Sequence, residues 1–199
     1  MDKLFLEVPS EEREQEAFEY IDEHIENDSD IVGCHGLSRF RGRYKDWLRK
    51  VEMDSIPELC TEEIPSRVFF LVRESDNRIV GMIHIYLGLN DRLRDFGGNI
   101  GYGIRPTERG KGYNNINLLL GLLVCRDYQM QEVLLTAFKD NKASVSTMEN
   151  FGGVKIKDYY DEDEDRDIVH YVIDVNQGIN NNIERYKEYI VGEEFKKVI

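Results

Sequence analysis

The chain has 199 residues, enough for one domain with a sizeable core, and its 41% apolar and 11% aromatic content excludes a largely disordered protein. A net charge of −13 disfavours a nucleic-acid partner, because phosphate backbones are held by clustered Lys and Arg. The apolar run over residues 118–125 falls short of the ~20 residues that span a bilayer.

No charged-then-apolar start with a cleavage site is visible, so the expectation is a cytoplasmic protein with no membrane partner. Cys34, Cys60 and Cys125 are odd in number and in no ligand spacing, and they read as reduced thiols. The histidines His24, His35, His84 and His170 show no metal spacing either, and no metal is expected.

In chain order, Ser10 reads as an N-cap with Glu11 and Glu12 in the first turn, where acids suit the helix dipole. Ala17, Phe18, Ile21 and Ile25 then recur at helical spacing. Residues 27–43 are loop-like, with Gly33, Gly36 and Gly42. Tyr44, Trp47, Leu48 and Val51 mark a second amphipathic helix. Pro57 and Pro65 bracket a connector. Residues 68–73 and 79–86 read as strands joined by a turn at Asp76-Asn77. A further strand, residues 99–104, stops at Arg105-Pro106, since proline holds its predecessor extended and cannot donate to a ladder.

Next comes a turn in which Gly110 and Gly112 alternate with Arg109 and Lys111, and then an apolar helix over residues 116–125. Residues 132–137 read as a strand and residues 140–149 as a helix closed by Gly152-Gly153. Residues 154–157 and 168–175 read as a closing pair of strands around a loop, 159–167, that carries six acids. Ile183, Tyr186 and Ile190 outline a C-terminal helix. The order implies an α/β fold, a sheet with helices on both faces.

Strand, basic Gly-rich turn and buried helix together build a phosphate cradle. Backbone N–H groups at the helix start converge on an anion, the dipole adds attraction, and glycine keeps side chains out of the way. An acidic protein that binds an anion must concentrate positive charge locally, and Arg105, Arg109 and Lys111 do this. The patterns of a kinase-type P-loop and of a dinucleotide turn are both missing.

Arg109-Gly110-Lys111-Gly112-Tyr113-Asn114 resembles the acetyl-CoA pyrophosphate loop of the GNAT superfamily of N-acetyltransferases, (Gln/Arg)-x-x-Gly-x-(Gly/Ala). Arg109 and Gly112 match, and Asn114 stands where Gly or Ala is usual. A second signature, Asn-x-x-(Ala/Ser) near a helix start, is similar to Asn141-Lys142-Ala143-Ser144. The resemblance covers roughly residues 66–175 of a single domain, 1–199, with 176–199 as a helical extension.

The resemblance implies a GNAT fold: a mixed central sheet, splayed at the cofactor strand, with helices on both faces. It implies acetyl-CoA as cosubstrate, its pyrophosphate on Arg109, Gly110, Lys111, Gly112, Tyr113 and Asn114. The backbone of Tyr102, Gly103 and Ile104 would pair with the pantetheine arm. Asn141 would bond that arm or cap its own helix. Many family members carry a Tyr seven residues after this Asn; here that position is Met148, read as packing. The usual acid is therefore absent, and His84, Tyr102 and Glu149 are the candidates for the general base that takes the amine proton.

The implied activity is acetyl transfer to a primary amine, on a small molecule or a peptide, by direct attack on the thioester. The alternative is a non-catalytic, regulatory acetyl-CoA-binding module. The acidic stretch 161–167 is either a solvated face or a lure for a cationic amine. The C-terminal helix either covers its own sheet or meets a second subunit, as in a homodimer.

Overall fold

The structure, a computed structural model, describes residues 2–191. It opens on a strand that the sequence reading lacks, β1 (Leu4–Glu7). Four residues carry too little periodicity to be read alone. The strand exists because β2 (Ser66–Arg73) lies beside it, with Leu6 opposite Leu71. β3 (Arg78–Tyr86) and β4 (Ile100–Ile104) complete an antiparallel sheet in the order β1-β2-β3-β4.

Both faces of this sheet are buried. Val68, Phe70, Val72 and Met82 pack with α1 (Glu14–Glu26) and α2 (Tyr44–Asp54), around Tyr20, Tyr44 and Trp47. Phe69, Leu71, Ile83 and Ile85 pack on the other face with α3 (Tyr113–Asp127). A strand buried on both sides reads as a continuous apolar run, as residues 68–72 do. Leu71 pairs with Gly81 and Val72 with Ile79, so Val80 is an extra residue that shifts the alternation of β3.

The second sheet holds β5 (Glu132–Phe138), β6 (Val154–Asp161) and β7 (Arg166–Asp174), antiparallel in the order β5-β7-β6. α4 (Lys142–Asn150) links β5 to β6, and α5 (Val175–Tyr186) packs its buried face into the α3 core. Two sequence expectations are corrected here. The loop read over residues 159–167 is shorter than expected: residues 159–161 and 166–167 are strand, and residues 162–165 form the turn that holds four of its six acids. The outer strand β6 is largely exposed, so it needs no apolar alternation and tolerates acids. The C-terminal helix ends at Tyr186; Ile190 instead forms a parallel bridge with Leu4. Residues 192–199, assigned to a helical extension, lie outside the described residues. No described helix is long and apolar enough to cross a membrane.

The sheets join at one corner. Asn99 N donates to Leu134 O at 2.6 Å, Leu134 N donates to Asn99 Oδ1 at 2.9 Å, and Gly98 bridges Leu135. Gly98 has φ 77°, and a Cβ there would lie 2.4 Å from Leu134 O, so only glycine fits. Beyond this corner no ladder among the described residues joins β4 to β5, and the two strands part.

Candidate functional site

Where β4 and β5 part, a cleft of about 1040 Å³ opens. It runs through the sheet rather than along one face. Ile100, Ile104 and Leu135 belong to the α3-side core, and Tyr102 and Ala137 pack against it. Strand alternation therefore turns Gly101, Gly103, Thr136 and Phe138 to the opposite face. That face is covered by Val32, whose carbonyl oxygen lies 2.9 Å from where a Cβ of Gly103 would be. The lining includes Tyr102, Asn114, Asn141, Ser144 and Thr147 from one side and Val32, Phe96, Thr136, Phe138 and Ile168 from the other.

The Gly-rich loop closes one end. Gly110 and Gly112 have φ of 77° and 78°, in the left-handed region, and Gly112 is the N-cap of α3. The backbone N–H groups of residues 110–114 have no acceptor among the described residues. Several unpaired donors at the start of a 15-residue helix are an arrangement that suits an anion. These amides, rather than the basic side chains, are the chief donors. Arg109 lines the cleft but is anchored, Nε to Ile104 O at 3.1 Å and a terminal nitrogen to Ser29 Oγ at 2.6 Å. Lys111 points to buried Glu108 at 2.7 Å. Arg105 is buried, paired with Glu23 at 3.0 Å and with Ile79 O at 2.9 Å. The local positive charge read from the sequence is thus largely internal ion pairing.

The sequence candidates separate by position. Tyr102, Gly103, Ile104, Arg109, Gly110, Gly112, Tyr113, Asn114 and Asn141 line the cleft. The Tyr102 hydroxyl meets Ser144 Oγ at 3.0 Å, and burial pushes its pKa up to about 12, so it keeps its proton. Asn114 Nδ2 donates to Thr147 Oγ1 at 3.3 Å, which leaves Asn114 Oδ1 buried without a partner. Asn141 Oδ1 accepts from Ser144 N at 3.1 Å and so caps α4. The Tyr113 hydroxyl donates to Asp2 rather than into the cleft.

His84 and Glu149 lie outside the cleft lining. His84 packs between His35 and Tyr86, with ring centroids 4.3 Å away on each side. Burial, with His35 and Lys50 nearby, holds its imidazole well below the usual pKa, hence neutral. Glu149 accepts from the Tyr171 hydroxyl at 2.9 Å. Met148 is fully buried in the α3 core, as its packing role requires.

Sequence reasoning missed Phe96, Phe138, Ile168 and the 29–32 segment, because nothing local marks them and only the chain path brings them to the gap. It also missed His35, Asp54 and Glu62, whose ligand-type atoms lie within 4.8 Å of one another. They are distant in sequence and show no spacing. Lys50 Nζ bonds both carboxylates, at 2.5 and 2.6 Å, so an ammonium already occupies the centre of that cluster and offsets part of its charge.

The acetyltransferase (GNAT) family model matches residues 41–152. No curated protein matches the sequence. Among solved structures, Mycobacterium smegmatis RimJ in complex with CoA-disulfide has a TM-score of 0.65 at 14% identity, over 92% of this chain and 88% of RimJ. The Microcin C7 self immunity acetyltransferase MccE, with acetyl-CoA and AMP, gives 0.64 at 15%, over 87% and 93%. A chimera of Vibrio cholerae spermidine N-acetyltransferase SpeG and hSSAT gives 0.59 at 13%, over 89% and 99%. At these identities the likeness is one of fold.

Proposed function

Because the chain belongs to the GNAT acetyltransferase family, we propose that it transfers the acetyl group of acetyl-CoA to a primary amine on a small molecule or peptide. The observation that carries this reading is the through-going cleft with unpaired amides at one end. The amides of residues 110–114 suit a pyrophosphate, and the open edge of β4 beside Tyr102 and Gly103 suits the amides of a pantetheine arm. Acetyl-CoA, when bound, supplies the activated thioester. An acceptor reaching the gap from the opposite face meets that thioester from the other side of the sheet, which keeps both reactants in line.

Tyr102 is the residue we assign to the chemistry. A phenol held protonated is a donor rather than a base. From the cofactor strand it can hydrogen-bond the departing sulfur, a duty that many relatives give to a Tyr at the Met148 position. His84 and Glu149 are set aside for this role, as both lie away from the cleft.

The second reading is a binding module that holds acetyl-CoA without turnover, favoured by the buried Met148. One experiment separates the two: purified protein with acetyl-CoA and a panel of primary amines, followed by CoA thiol release and by mass of the products. Release with matching N-acetylated product supports transfer. Tight acetyl-CoA binding with no release on any amine supports the module.

A further inference from the structure

The half of the cleft away from α3 is unlike the half that takes the cofactor. Its walls are apolar: Ile31 and Val32 from the α1–α2 loop, Phe96 from the segment before β4, Phe138 from β5 and Ile168 from β7. Phe138 and Ile168 are register partners, so they share a face. Thr136 Oγ1 donates to Gly97 O at 3.2 Å, which brings the Phe96 segment onto that face. Phe96 is 62% exposed although it lines a cleft, an apolar ring with nothing over it.

One cation lines this half. Arg166 sits with its guanidinium carbon 3.7 Å from the Phe138 ring centroid, and it donates to Asp140 Oδ1 at 2.7 Å. Stacking and ion pair hold the guanidinium plane at the rim, while its side chain stays 39% exposed and able to take a second acceptor. The acids of residues 162–164 are not in the lining. A polycation would find apolar walls and a guanidinium here, with Asp30 and Asp140 as the acids of this half; the third acid of the lining, Glu108, is at the Gly-rich loop and paired with Arg73 and Lys111.

We infer that the acceptor is a free α-amino acid, or a close analogue, with an apolar side chain. Its side chain packs on Phe96, Phe138 and Ile168, its carboxylate bonds Arg166, and its amine points into the gap between β4 and β5. This names the substrate class of the transfer reaction proposed above and rests on that reading.

The test uses the full chain with acetyl-CoA and three amines: L-phenylalanine, its decarboxylated counterpart phenethylamine, and spermidine. Thiol release is followed by steady state, and acceptor binding to the CoA-loaded protein by calorimetry. L-phenylalanine is expected to give the highest kcat/KM. Arg166→Gln should lower kcat/KM for phenylalanine roughly tenfold, about 1.4 kcal/mol, and leave phenethylamine within about twofold. Phe96→Ala should lower both. Preference for spermidine, or an Arg166→Gln effect equal on both aryl amines, overturns the inference while acetyl transfer stands. Binding of acetyl-CoA with neither turnover nor binding of phenylalanine also overturns it. Failure to bind acetyl-CoA at all would instead remove the reading beneath it.

Discussion

Tyr102 on β4 and Ser144 in the first turn of α4 meet in one wall of the cleft, hydroxyl to hydroxyl at 3.0 Å. They are 42 residues apart in sequence and are the polar contact between β4 and α4. A phenol in this setting is raised in pKa by burial and steadied by Ser144.

Tyr102→Phe removes that hydroxyl and keeps the ring. If the phenol assists the departing sulfur, kcat should fall about a hundredfold, while acetyl-CoA affinity stays within a factor of about two. Stability should drop by only about 1 kcal/mol for one lost hydrogen bond. Steady-state kinetics at saturating acetyl-CoA, with a thermal melt as control, decide the matter. An unchanged kcat would make Tyr102 a packing residue.

Met148→Ala should behave in the opposite way. Met148 is fully buried beside the α3 core, so its truncation should cost about 2–5 kcal/mol and lower the melting temperature. Turnover per folded molecule should hardly change. A stable variant with a collapsed kcat would show that α4 contributes directly to chemistry.

The reach of the sequence follows from these two positions. The Gly-rich turn at the start of α3 was legible because glycine and proline act locally, and Met148 as a buried residue because it is an apolar side chain on a short helix. The burial of His84 was not, because the His35 ring that covers it comes from a loop distant in sequence. β1 was illegible because its four residues become a strand only through pairing with β2. Residues 159–161 were read as loop because an exposed edge strand has no apolar face to show. Phe96 reaches the cleft from the segment before β4, and Phe138 and Ile168 from the paired strands β5 and β7, so no local pattern in the sequence joins them.

Folding stability should fall as the pH drops below neutrality, and His84 should account for a measurable part. Its folded pKa is depressed by burial, while in the unfolded chain it titrates near about 6.5. Above that pH neither state carries the extra proton and its contribution is complete. Below it the unfolded chain takes up a proton that the folded protein refuses, so stability is lost as pH falls. His84→Leu should therefore flatten the slope between pH 6.5 and 5 by up to about 1.4 kcal/mol per pH unit. Urea unfolding at several pH values reads it. Identical slopes in both proteins would show that His84 is protonated in the fold.

The acidic turn should be inert towards the acceptor. Glu162, Asp163 and Glu164 are exposed at the β6–β7 turn and outside the cleft lining. Changing all three to Gln or Asn should leave the acceptor KM within about twofold at 0.1 M salt, where screening acts over about 10 Å. Asp161 is left intact, since its carboxylate accepts from the amides of Asp163 and Glu164. A large, salt-sensitive rise in KM would instead assign the turn to steering a cationic amine.

The central claim is that the unpaired amides of residues 110–114 hold the pyrophosphate of acetyl-CoA in this cleft. Calorimetric titration of acetyl-CoA into the protein and into Gly112→Asp tests it most directly. Gly112 has φ 78°, so the variant adds backbone strain of about 1–2 kcal/mol and sets a carboxylate against the anion. The account predicts one site per chain in the wild type and at least about a hundredfold weaker binding, about 2.7 kcal/mol, in a variant that still melts cooperatively. No heat at millimolar acetyl-CoA in the wild type, or equal affinity in a folded variant, would contradict it.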